Sequence, residues 1–409
     1  MKSLLIKIGK AKSVLERDGF WVGVRNIGGK LGKMLKGILS WPRGEILFVS
    51  SGVGDASMYR TDYVAEELRL YGFKTGVVYK DDPFLLTKLR KSKVVVLYRT
   101  TYDPKIKKLL EQIDKLKQTL VYDTDDLVFD WEAFKKTDAY NNFNELQKKQ
   151  YEDGVGLEIL NSDTLKAITT TTSFLQEKLN RFGKPVFIVK NKLGKRELKW
   201  VREARKKYLR RVKKSSEVRL GYFSGTISHN RDFAVIIPAL KVILNKYPNV
   251  KLYLVGYLDV KDDFYKEFHK QIVQLPFVPR REHYQNISEI DINLAPLEMT
   301  DFCQAKSELK FFEAGIIGIP TIATRNQTFS EAINEESESL KKCVSCLHPK
   351  RSGLLAGNMT EWVEKLELLI ENKEMRVSIG ERARQVVLKK YLTSSGGSKE
   401  YYEFLENVT

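Results

Sequence analysis

Residues 293–324, NLAPLEMTDFCQAKSELKFFEAGIIGIPTIAT, decide the fold. Asn293–Pro296 reads as the end of an apolar strand, followed by a polar loop. Lys306 to Ile316 reads as a helix, Gly318-Ile319-Pro320 as a turn, and Thr321 to Thr324 as a short strand. Few orders of elements bring a basic loop and an acidic helix face together at the carboxyl edge of a parallel sheet. That edge is where open α/β sheets bind ligands.

The same alternation extends outward in both directions. Gly44 to Ser50 (GEILFVS) is an apolar strand that leads through a loop into an amphipathic helix ended by Gly72. Gly52 and Gly54 give only G-x-G, and Ser57 stands where a third glycine is needed, so this is a weak dinucleotide fingerprint. Gly76–Tyr79, Lys93–Tyr98, Leu120–Asp123, Ala167–Thr171 and Pro185–Val189 read as strands, with a helix from Ile106 to Leu116. The pattern restarts with strands at Arg219–Phe223, Val250–Val255, Ile272–Leu275 and Ile290–Ala295, and the last ~35 residues read as helix. Nearly continuous apolar strands alternating with helices mean parallel sheets covered on both faces. The class is α/β, with two Rossmann-like domains, which also suits a chain of 409 residues.

The net charge of +18 is unevenly placed. Residues 1–43 carry ten Lys/Arg against Glu16 and Asp18, and residues 192–216 carry twelve against Glu197 and Glu203; together these segments hold the whole excess. The first interleaves its cations with Leu4, Ile8, Phe20, Trp21, Ile27, Leu31 and Trp41. That mixture describes an interfacial helix drawn to anionic lipid, or else a helical extension packed on the protein. The second segment has strong helix propensity. It reads as a solvated linker, a second membrane-facing patch or, with no reading motif beside the charge, least readily as a nucleic-acid patch. No apolar run reaches the ~18 residues of a spanning helix, and no secretory signal is recognisable. Cys303, Cys343 and Cys346 form no disulfide framework, and Cys343-x-x-Cys346 lacks a second ligand pair for zinc. The expected location is cytoplasmic.

With Lys306, Ser307, Lys310 and Glu313 in this order, the opening stretch resembles the donor-binding segment of GT-B glycosyltransferases. The likeness is to the glycosyltransferase family 4 type, in a bacterial surface-polysaccharide subgroup that carries K-S-x-x-K before the glutamate. It spans roughly residues 44–409. It implies two Rossmann-like domains facing a central cleft: an acceptor domain over 44–191, a basic helical linker over 192–216, and a nucleotide-sugar domain over 217–384. Residues 1–43 are a basic amphipathic extension, and a C-terminal helix over 385–409 packs back on the first domain. The resemblance also implies that Glu313 accepts the ribose hydroxyls. A second glutamate, usual eight positions earlier, is replaced by Ala305. The family's Arg and Lys that clamp the diphosphate fall on Thr226 and Arg231 of FSGTISHNRDF. Gly225 gives close backbone approach, Arg231 and Lys306 become the phosphate ligands, and His229 reaches the phosphate or caps the loop. Phe277 and Val278 flank the base, or belong to the core. A leaving diphosphate needs cations and helix N-terminal amides.

On the acceptor side, VYDTDDLVFD follows a strand. Asp125 and Asp126 are read as binding acceptor hydroxyls or orienting a catalytic group, or as capping the next helix. Asp123-Thr124-Asp125 spells D-x-D, but no metal is expected. Tyr59 and Arg60 match the subgroup's Tyr-Arg and are expected to line the acceptor or phosphate end. The histidines are His229, His269, His283 and His348, none before residue 217. The expectation is a retaining transferase in which the leaving diphosphate takes the acceptor proton, with Asp125, Asp126 and Lys306 as the catalytic set. It would act on a lipid-linked or growing surface-polysaccharide acceptor, without cofactor or nucleic acid. It would sit at the inner face of the membrane, held by residues 1–43, as a monomer or a homo- or hetero-oligomer. The alternatives are an inverting enzyme with Asp126 as base and a catalytically silent partner subunit.

Overall fold

The computed structural model describes residues 44–52, 54–141, 155–213, 216–225, 230–258, 262–333 and 351–409, with Gly28, Gly32, Leu39, Trp41, Glu145 and Lys148. The expectations for the N-terminal extension, for Thr226 and His229, and for Cys343 and Cys346 lie outside these residues, apart from those four N-terminal positions. The chain divides into two compact units. The first comprises 1–136, 140–192 and 396–409; the second comprises 193–395 together with 137–139.

The first unit is built on a parallel sheet of six strands: β1 (Ile46–Ser50), β2 (Thr75–Tyr79), β3 (Val94–Tyr98), β4 (Thr119–Asp123), β5 (Leu165–Thr170) and β6 (Val186–Ile188). Their spatial order is β2-β1-β3-β4-β5-β6. Every residue of β1 and β3 is buried, as an inner parallel strand with helices on both faces requires. The crossover helix Pro104–Lys115 starts as its sequence dictates. Pro104 occupies the first turn and Asp103 accepts a hydrogen bond from the Ile106 amide at 2.9 Å. Ile106, Leu109, Leu110 and Ile113 form its buried stripe. The C-terminal helix Lys399–Val408 also belongs here. Tyr401 and Leu405 enter the core with Phe48, Val96 and Val189.

The second unit repeats the plan with β7 (Val218–Ser224), β8 (Val250–Gly256), β9 (Ile272–Leu275), β10 (Ile292–Ala295), β11 (Thr321–Thr324) and β12 (Leu354–Ala356). Its order, β12-β11-β10-β7-β8-β9, is the doubly wound Rossmann arrangement. The strand order therefore reverses between β7 and β10, and a ligand crevice belongs outside their carboxyl ends. Gly256 turns the chain there at φ +97°, and a Cβ on it would lie 1.9 Å from the Ser224 carbonyl oxygen. Only glycine serves both demands.

Two boundaries differ from the sequence reading. The segment read as a linker is largely the helix Lys195–Val212, which sits in the second unit through buried Val201, Ala204 and Tyr208. Arg205 donates to the Ile317 carbonyl at 2.7 Å and to Glu381, and Arg211 to Asp291. Helix Lys373–Lys390 also stays in the second unit, so the return to the first begins at Gly396. The stretch quoted first is likewise finer than expected. Thr300 caps a one-turn helix, Asp301–Gln304, and the main helix starts at Leu309.

Candidate active site

The residues around the end of β7 in the second unit come from three directions. Gly225 follows β7 directly, and among the described residues a Cβ on it would meet nothing within 4 Å. The helix Leu309–Gly315 is fixed from below. Asn293 on β10 donates to the Lys310 carbonyl at 2.9 Å and to Thr321 at 3.0 Å. Phe312 stacks on Tyr391, whose hydroxyl donates to buried Glu308 at 2.8 Å. This anchoring gives Lys310 and Glu313 fixed positions one helical turn apart.

Lys310 has an unusual setting for a cation. Its Nζ donates to the Phe223 carbonyl and lies 4.4 Å from the centre of the Tyr222 ring. Burial pushes its pKa down to about 8, against the opposing pull of Asp232 and Glu313. Lys306, on the turn before the helix, lies over the Phe302 ring at 4.5 Å, and half-buried Ser307 follows it. Arg231 is half exposed on the short helix Asn230–Ala234 and pairs with Glu298. The neighbouring Asp232 is buried, accepting from the Glu298 amide at 2.9 Å and from the Cys303 thiol at 3.4 Å. Burial pushes that thiol up to about 12, so Cys303 is an inert filler.

Glu313 is 5% exposed and already engaged. Arg280 donates to one carboxylate oxygen, and His283 lies 3.1 Å from the other. Arg280 is held in turn by Glu197, at 2.6 and 2.8 Å, and by the Tyr284 hydroxyl at 2.9 Å. A carboxylate offers about four lone-pair directions, so the contacts to Arg280 and His283 do not by themselves fill them. Arg280, His283 and Glu197 were missed in the sequence. Yet Arg280 opens the helix that follows β9, and residues just past a strand's carboxyl end are the ones this fold places beside ligand. Phe277, 37% exposed after β9, stacks on Tyr257 with ring centres 5.1 Å apart. Val278 beside it is half-buried.

In the first unit, expected ligands turn inward. Arg60 is fully buried. Its Nε and Nη2 donate to both oxygens of Asp123, at 3.0 and 2.6 Å, and its Nη1 to the Val189 carbonyl and to Asn191. Burial alone would lower the Arg60 pKa; pairing with Asp123 outweighs it and holds the guanidinium charged. Tyr59 is 2% exposed and meets Tyr63 edge to face. Neither Tyr59 nor Arg60 offers surface to an acceptor; together they support the sheet edge from within. Asp123, the first residue of the D-x-D run, is used up by Arg60 and by the Thr169 hydroxyl at 2.6 Å. Among the described residues no group of three or more His, Cys, Asp or Glu is placed to hold a metal ion.

Asp125 and Asp126 lie just beyond β4 and are partly exposed. Arg99 reaches both, with Nε 2.6 Å from Asp125 and Nη2 2.5 Å from Asp126, and Tyr98 donates to Asp125 at 3.1 Å. Burial raises the Asp125 pKa, and Arg99 opposes that rise. Neither aspartate caps the following helix; Asp130 does, accepting from the Ala133 amide at 3.1 Å. Arg99 itself has φ +41°, a left-handed conformation that costs a non-glycine residue about 1–2 kcal/mol.

Comparison with known proteins agrees with this architecture. Residues 237–395, less than half of the chain, match the family model described as glycosyl transferase-like. No curated protein sequence matches the chain significantly. Sucrose-phosphate synthase from Thermosynechococcus elongatus superposes with a TM-score of 0.57 at 12% identity, over 90% of this chain and 100% of that one. A glycosyltransferase from Rickettsia africae gives 0.56 at 13% identity, over 89% and 97%. The catalytic domain of starch synthase IV from Arabidopsis thaliana, bound to ADP and acarbose, gives 0.54 at 10%, over 89% and 99%. The fold is GT-B. At these identities the likeness establishes the fold and leaves the chemistry to the residues.

Proposed function

We propose that the protein is a glycosyltransferase that moves a sugar from a nucleotide-sugar donor to a lipid-linked or growing surface-polysaccharide acceptor, with retention and without a metal. The observation that carries this reading is Lys310, a cation at the switch point of the second sheet whose Nζ meets a carbonyl and an aromatic ring. A diphosphate would place an anion beside this amine. The glycosyl transferase-like match over 237–395 covers this same segment.

In this reading Lys310, Lys306 and the Gly225 backbone bind the diphosphate. Arg231 can exchange its exposed partner Glu298 for phosphate, since such surface pairs contribute about 0–1 kcal/mol. Glu313 accepts the ribose hydroxyls while Arg280 and His283 hold its carboxylate in place. Phe277 and Val278 border the base. In the reaction the bond between the anomeric carbon and the phosphate oxygen breaks and one to the acceptor oxygen forms. The acceptor proton passes to the leaving diphosphate, and Lys306 and Lys310 stabilise the charge that develops there. Asp125 and Asp126, kept in register by Arg99, are assigned to acceptor hydroxyls.

Calorimetry with UDP, GDP, dTDP and their sugars tests the donor site, in the unaltered chain and in Glu313→Ala. Selective binding that weakens tenfold or more in Glu313→Ala is expected. Glu197 still pairs with Arg280 in that variant, so the fold should persist. Unchanged affinity would remove Glu313 from the ribose. Absence of all binding in folded protein would turn the reading toward a silent partner subunit.

A further inference from the structure

Helix Lys195–Val212 has two unlike faces. One is committed to the second unit through Val201, Ala204, Tyr208, Arg205, Arg211 and Glu197. The other carries Arg196, Lys199, Arg202, Lys206, Arg210 and, at the cap, Lys213, all exposed. Successive members are three or four residues apart, so the six form one straight row opposite the buried face. At 1.5 Å per residue the row is roughly 25 Å long. Among the described residues none of the six has a carboxylate at ion-pair distance, although the acidic side chains Glu197, Glu203 and Glu289 lie close by. Those acids pair elsewhere: Glu197 with Arg280, Glu203 with Arg281, and Glu289 with Lys207 and Arg219. Leu209, 44% exposed, flanks the row on one side, and Trp200, under the Arg196 guanidinium, on the other.

We infer that this face docks on an anionic phospholipid surface. Six cations in a straight line on a convex helix suit a planar layer of phosphate headgroups, and apolar flanks such as Leu209 and Trp200 sit at the headgroup boundary. A single-stranded nucleic acid asks for a groove with successive aromatic stacking positions, and this helix has only Trp200 outside its buried face. The same helix contributes Glu197 to the Arg280–Glu313 chain. Docking would therefore hold the element beneath the proposed donor site against the bilayer that carries the acceptor. The inference rests on the membrane-facing part of the proposed function.

The test is co-sedimentation of the full chain with phosphatidylcholine vesicles, with and without phosphatidylglycerol. One variant replaces the six cations by Gln; a second replaces the ten Lys/Arg of residues 1–43 by Gln. Each cation near a charged surface contributes roughly fivefold to partitioning. The six-site variant should thus lose at least about a hundredfold toward phosphatidylglycerol vesicles, with unchanged thermal unfolding and nucleotide binding. The N-terminal variant should keep salt-sensitive binding that the six further substitutions abolish. Equal partitioning of the six-site and unaltered chains would overturn the inference, as would absence of vesicle binding by the unaltered chain. A loss seen with single-stranded RNA but not with vesicles would overturn it in favour of nucleic acid. Nucleotide binding in the same samples reports separately on the transferase reading.

Discussion

The carboxyl edges of the two sheets handle charge in opposite ways. At the end of β4 in the first unit, Arg60 meets Asp123 and Arg99 meets Asp125 and Asp126, so each cation faces carboxylates. At the end of β7 in the second unit, Lys310 meets the Phe223 carbonyl and the Tyr222 ring. A compensated edge is rigid and indifferent to anions. An edge with a buried cation bonded to a carbonyl, where Asp232 and Glu313 counter the burial only in part, is strengthened by an incoming anion. Both sheets are six-stranded and parallel, though ordered differently, and this contrast in pairing marks the second edge as the candidate anion site.

The comparison breaks most visibly at Arg60. Arg60→Ala leaves Asp123 buried without its partner and should destabilise the first unit by about 3–5 kcal/mol, measured by urea unfolding. A loss below ~1 kcal/mol would mean the pair is no strut. The pH dependence of stability sharpens the other side. The Lys310 amine titrates near 8 in the folded state against an ordinary 10.5. Between those values the unfolded chain binds more protons, so this residue makes stability rise with pH across that window. Lys310→Met should remove that rise relative to the unaltered chain; identical profiles would deny the amine its desolvated setting. The smallest effect belongs to Arg99. Both Arg99→Gly and Arg99→Ala lose the pairs to Asp125 and Asp126, but only glycine relieves the left-handed backbone. The glycine variant should therefore be about 1 kcal/mol more stable than the alanine variant. Equal stabilities would remove the strain from the account.

Most of the fold was legible. An apolar run such as VVVLY has no alternation, and a fully covered parallel strand needs none. β12 was missed because three apolar residues carry too little pattern to register. The basic segment was read as a linker because its charge overshadowed Val201, Ala204 and Tyr208, whose helical spacing marks a buried face. At the site, Lys310 and Glu313 were legible from their place on the helix after β10. Arg280, His283 and Arg99 were not, because their roles depend on partners 26 to 83 residues away. Tyr59 and Arg60 lay in a stretch that gives no sign of which way its side chains face. Their inward direction follows from Asp123, Val189 and Asn191, three positions the sequence does not connect.

The central claim, that the second sheet's edge is built for a diphosphate, is tested most directly by a difference in affinity. Calorimetry of a nucleoside diphosphate and of its parent nucleoside would be run on the unaltered chain and on Lys310→Ala. A charged hydrogen bond is worth about 1.5–3 kcal/mol. The account predicts that the diphosphate binds more tightly than the nucleoside and that Lys310→Ala closes at least tenfold of that gap. A gap left unchanged in Lys310→Ala, or no preference for the diphosphate in the unaltered chain, would contradict it.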